Sequence, residues 1–181
     1  MSKVQVEIGD AHKLHDDNDA VTETIDGWPF LIHEAAHCLI GHRLNLKVKR
    51  IEICYEEGGY SFIEEGSNLT RWLTMLLSGE RAEVEFFGRQ MLPRMHARSD
   101  RERLYQAVVK AGRMGEQALF VARQQAPKLV RIHRGPILQL SHDLLALVHQ
   151  AQGADVVVEG DELVRLLGGP DVAILRLAAN G

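Results

Sequence analysis

The feature that most constrains this chain is His33-Glu34-Ala35-Ala36-His37, set in an otherwise apolar stretch. Residues four apart lie on one face of a helix, about one turn from each other. Trp28, Phe30, Leu31, Ile32, Leu39 and Ile40 flank the motif, so the helix reads as apolar almost all round, and hence buried. Burying two imidazoles and a carboxylate without partners is expensive. Hydrogen-bonded core histidines would be one solution. A metal ion shared by both rings is the more economical one, and the spacing allows it.

This is the H-E-x-x-H pattern of the zincins, in which two histidines hold Zn²⁺ and the glutamate acts as general base on a metal-bound water. The expected site residues are therefore His33 and His37 as metal ligands and Glu34 as the catalytic base. A catalytic zinc site needs a third protein ligand. Metzincin spacing is excluded, because Gly41 and His42 are each one residue off its register. Two candidates remain. Asp100 stands beside a loop at a helix start, where an acid is also stabilising for local reasons. Glu83 lies in the preceding helix and would serve as a third ligand or as a carboxylate orienting a ligand histidine.

The 181 residues, 45% of them hydrophobic, suggest one compact domain over 1–181. No apolar run reaches the length of a membrane span, and the N-terminal residues lack a signal-like hydrophobic region. Cys38 and Cys54 form no C-x-x-C pair and fit reduced thiols in a cytoplasmic protein. The net charge of −4 is unevenly spread: residues 1–88 hold sixteen acids and eight Lys/Arg, residues 89–134 three acids and eleven Lys/Arg. Arginines from Arg89 to Arg134 would form a solvated helical face or dock an acidic partner. The absence of interleaved aromatics weighs against nucleic acid.

Along the chain, residues 1–27 read as a short strand and an acidic loop carrying His12 and His15. Pro29 suits the first turn of a helix running to Leu44. Lys49 to Tyr55 alternates, Gly58-Gly59 reads as a turn, and Tyr60 to Ile63 returns, which is a hairpin signal. Its first strand is a candidate for pairing with an extended substrate. Asn68 opens a second helix that stops at Gly88. Ser99 to Glu102 fits a capping box for a helix to Met114. Gly115 interrupts it, more helix follows to Gln125, and Pro127 starts another to Ala151, with Pro136 as a kink or restart. A short helix, Glu162 to Leu167, precedes a tail at 169–181. The expected class is mainly α with one small sheet, a helical zincin-like metallopeptidase domain.

The segment HEAAHCLIGHRLNLKVKRIEI resembles the peptidase domain of the FtsH-type AAA+ zinc proteases. So do Gly59-Tyr60, the run LLSGERAEVEFFG with Gly79, Ala82, Glu83 and Gly88, and ARSDRERLYQAVVKAGRM with Ala107, Ala111 and Met114. The resemblance covers residues 28–168. It implies zinc on His33, His37 and Asp100, with Glu34 as the base. The family's alanine and methionine register would place Arg103 at the aspartate, so a short indel is needed and Glu83 stays open. Ala36 stands where the family has Gly. The family's membrane anchor and ATPase module have no counterpart here. The expectation is a free-standing peptidase acting on peptides or unfolded chains, alone or with an ATPase or oligomeric partner in trans. The alternatives are a catalytically silent zinc-binding or regulatory module, and a structural zinc closed by a fourth ligand such as His96 or Cys54.

Overall fold

A computed structural model describes residues 28–54, 58–91, 98–152 and 154–168. The order of elements is α1 (Pro29–Arg43), β1 (Val48–Cys54), β2 (Gly58–Ile63), α2 (Leu69–Phe87), α3 (Arg98–Ala111), α4 (Arg113–Ile132), α5 (Arg134–Gln150), β3 (Val156–Glu159) and α6 (Gly160–Leu166). The protein is mainly helical, with one small three-stranded antiparallel sheet.

Helix α1 begins with Pro29, whose missing N–H falls where no helical partner exists. Every residue from Leu31 to Gly41 is buried, so this helix is the axis of the molecule. One core joins it to β1, β3, α5 and α6 through Leu31, Ala35, Ile51, Ile137, Leu144, Val158 and Leu163. A second core lies between α2, α3 and α4, where Leu73, Met75 and Leu76 meet Ala107, Ala118 and Ala122. The alanines allow close approach of the helices, and Gly115 does the same: a Cβ there would meet the Val108 carbonyl at 2.3 Å. The Asn68 side chain caps α2 by accepting the Arg71 N–H at 3.1 Å, and Gly88 ends it at φ +69°.

The structure corrects several expectations. The helical break falls at Gly112, which takes φ +56°, while Gly115 sits inside α4 as a contact residue. Pro127 also lies inside α4 and does not start a new helix. Its cost of about 3 kcal/mol is opposed by the fully buried Ala122, Ala126 and Val130 on either side. The chain turns at His133, and Pro136 falls in the first turn of α5, where proline is tolerated. Gly58 and Gly59 belong to β2, not to a turn. Strand β3 was not anticipated. It pairs antiparallel with β1, giving the order β2-β1-β3. Strand β1 is thus central, with both edges occupied, and cannot accept a substrate strand. The sheet edge free of β1 and nearest the histidines belongs to β2. The expectations at 1–27, His96 and 169–181 lie outside the described residues. No described helix is long and apolar enough to cross a membrane.

Candidate metal centre

Helix α1 delivers His33 and His37 side by side, ring centroids 4.6 Å apart, both nearly fully buried. Each ring is oriented from behind. His33 Nδ1–H donates to Oε1 of Glu83 at 2.5 Å, and His37 Nδ1–H donates to the Met75 carbonyl at 2.8 Å. Both partners come from α2. With both Nδ1 atoms engaged as donors, both Nε2 atoms face inward.

The two Nε2 atoms are 3.0 Å apart, and Oδ2 of Asp100 lies 3.2 Å from one and 3.1 Å from the other. Three ligands bound about 2.0–2.1 Å from one tetrahedral ion lie about 3.3 Å apart. The triangle therefore has nearly the dimensions a bound cation requires. Two imidazole lone pairs and a carboxylate oxygen this close repel one another unless a cation or a proton lies between them. His33, His37 and Asp100 form a group that could hold a metal ion. Neither Glu83 nor Cys54 belongs to it. Glu83 orients His33 and, through Oε2, accepts the Met91 N–H at 2.6 Å, tying the chain after α2 to the site.

Asp100 reaches the histidines because α3 is fastened to α2. Arg101 Nε–H donates to Glu80 Oε1 at 2.5 Å, and Gln90 donates to the other oxygen of Glu80 at 2.9 Å. Helix α3 starts one residue earlier than expected, so Ser99 lies within its first turn. Gly79 of α2 passes directly over the imidazoles: a Cβ there would meet Nε2 of His33 at 2.5 Å and Nε2 of His37 at 2.6 Å.

Glu34 lies beside the triangle. Its carboxylate accepts a hydrogen bond from the Ser61 hydroxyl of β2, and Ser61 in turn accepts one from the Cys38 thiol at 3.2 Å. Burial raises the Glu34 carboxyl above the usual range, against the opposing pull of His37, His33 and Ser61. Burial also raises the Cys38 thiol, fitting its expected place in the core. Gly59 brings the β2 backbone against this group, since a Cβ there would lie 2.8 Å from Cγ of Glu34. The triangle and Glu34 line a cleft of about 340 Å³, walled by Phe30, Tyr60, Phe62, Trp72 and Met75.

Sequence reasoning missed Ser61. It stands opposite Ile51 in the register, on the sheet face shared with Gly59, and a lone hydroxyl in that phase was a readable sign. His42 is not part of the group, and His133, His142 and His149 lie on α5 or at its start. Compared with known proteins, the chain matches no family model, and no curated protein is significantly similar to it.

Proposed function

We propose that this protein is a zinc-dependent metalloendopeptidase with a zincin-like helical fold, a free-standing counterpart of the FtsH-type peptidase domain. The observation that carries the reading is the inward-facing triangle of His33 Nε2, His37 Nε2 and Asp100 Oδ2 with Glu34 beside it in an open cleft. Zinc is favoured by the donor set, two imidazoles and one carboxylate.

Bound there, zinc would supply Lewis-acid polarisation of the scissile carbonyl and an acidified nucleophilic water. The rest of the chemistry belongs to the chain. Glu34 takes the proton of the attacking water and returns it to the leaving amine, a role suited to a carboxyl raised by burial. Ser61 holds one carboxylate oxygen, which directs the other toward the cleft. An extended peptide would lie along the outer edge of β2, where strand addition supplies main-chain hydrogen bonds. The substrates are peptides or unfolded segments in the cytoplasm, delivered by diffusion or by an ATPase or oligomeric partner in trans.

A structural zinc would be closed by a fourth protein ligand, and the described residues bring none into the group. The remaining rival is a module that holds metal without turnover. Glu34→Gln separates the two: it should keep about one zinc per chain and abolish cleavage of casein or a quenched peptide. Zinc retained with no wild-type cleavage would leave the binding module.

A further inference from the structure

The triangle and Glu34 account for every charged group in the cleft except one. Arg103 also lines it, one helical turn after Asp100 on the same side of α3. It makes no hydrogen bond or ion pair with any described residue. Beyond Arg103 the cleft continues into a groove of about 450 Å³, which shares Phe62, Ile63, Trp72 and Arg103 with it. In that groove Glu64 is paired with Lys49 at 2.7 Å, while Glu65 and Lys110 stand on its walls.

The charges favour an anionic guest at Arg103. Arg103 is the one lysine or arginine among the residues that line the cleft, and no described carboxylate pairs with it. Phe62, Ile63 and Trp72 supply apolar wall beside this exposed residue, against which the rest of a peptide side chain can lie. A guanidinium presents a planar fork of N–H donors that matches a carboxylate.

Resting on the peptidase reading, we propose that Arg103 determines specificity by receiving a carboxylate of the bound peptide close to the scissile bond. Three residues of helix advance about 4.5 Å, and an extended chain advances about 3.3 Å per residue. The carboxylate therefore belongs within about three residues of the bond that is cut. It comes from an internal Asp or Glu, or from the peptide's own C-terminus.

The test uses zinc-loaded Glu34→Gln protein and labelled heptapeptides, amidated at the C-terminus, with Glu, Gln or Lys placed at each position in turn. A matching set carries a free C-terminal carboxylate. Binding is read by fluorescence anisotropy at low and high salt, and cleavage of the same peptides is followed with Glu34 intact. The expected result is about fivefold or tighter binding of Glu over Gln at one position, weakened by salt. Arg103→Ala should level the two, and Arg103→Glu should turn the preference toward Lys. An advantage confined to the free-carboxylate set would assign the C-terminus as the source. Arg103 is exposed, so these variants should fold. Equal binding of every charged and neutral pair, or a preference that survives Arg103→Ala, overturns the proposal alone. Failure of all peptides to bind or be cut would overturn the peptidase reading and this inference with it.

Discussion

A methyl group on Gly79 would lie 2.5 Å from Nε2 of His33 and 2.6 Å from Nε2 of His37. Gly79 sits in the interior of α2, where alanine would favour the helix by about 1 kcal/mol. The clash opposes this by about 1–3 kcal/mol. Gly79→Ala should therefore stay folded by circular dichroism and lose its metal, falling from about one zinc per chain to a trace in elemental analysis. Full metal content in this variant would show that the ion does not sit between His33 and His37.

Asp100 and Glu83 should separate by degree. Asp100→Ala removes a corner of the triangle and should leave no measurable high-affinity zinc. Glu83→Gln leaves the corner set intact but weakens the support behind His33, which should lower affinity about 10–100-fold. Competition with a chromophoric chelator ranks the two. The reverse order would make Glu83 the third ligand.

The metal-free protein should release a proton when it takes up zinc. Burial lowers the His33 pKa, but the hydrogen bonds to Asp100 and Glu83, with the charges of Glu34 and Asp100, outweigh it and raise the imidazole to about 10. The proton on His33 must leave before Nε2 can bind a metal. Apparent zinc affinity should then rise about tenfold per pH unit from pH 6 to 8. Titration calorimetry in buffers of different ionisation enthalpy counts the proton.

The stability of the metal-free form should run the other way. A histidine raised from 6.5 to about 10 contributes fully below 6.5 and loses its contribution as pH climbs toward 10. Asp100 is held well below its ordinary 3.8: burial pushes it up, but His37 and His33 outweigh this, so its contribution appears above 3.8 and is lost on acidification. Glu34, raised by burial, also disfavours high pH. The melting temperature of the metal-free protein should be highest between about pH 4 and 6.5 and fall toward pH 9. The increment added by zinc should grow over the same upward range. A metal-free melting temperature that rises to pH 9 would contradict the pairing of His33 with Asp100 and Glu83.

Ser61→Ala should leave zinc content unchanged and slow turnover about tenfold, as expected for the loss of one buried donor to a carboxylate. Ser61→Thr, which keeps the hydroxyl, should recover most of the rate. An alanine variant with wild-type kcat would mean that Glu34 is held without the hydroxyl.

Much of this arrangement was legible locally. Asn68 and Gly88 mark the ends of α2 because capping is a property of a few adjacent residues. The apolar run around His33 marks a buried helix for the same reason. Strand β3 was not legible, since Val156 to Glu159 is short and makes sense only beside β1. Pro127 reads as a boundary until the burial of Ala126 and Val130 is known. Gly59 reads as a turn residue until Glu34 is found packed against it. The contrast between Asp100 and Glu83 is of the same kind. Both are acids on helices, and only the approach of α3 to α1 separates the one facing both Nε2 atoms from the one behind His33.

Asp100 follows His37 by 63 residues and arrives on a different helix. The pair of histidines comes from α1 alone, but the third corner cannot exist until the chain has been made through Asp100 and α3 has docked. A chain in which α3 has not docked carries only two of the three corners. The spacing ties any joint use of the three groups to the docking of α3, so the corner set reports on folding well beyond the helix that supplies its histidines.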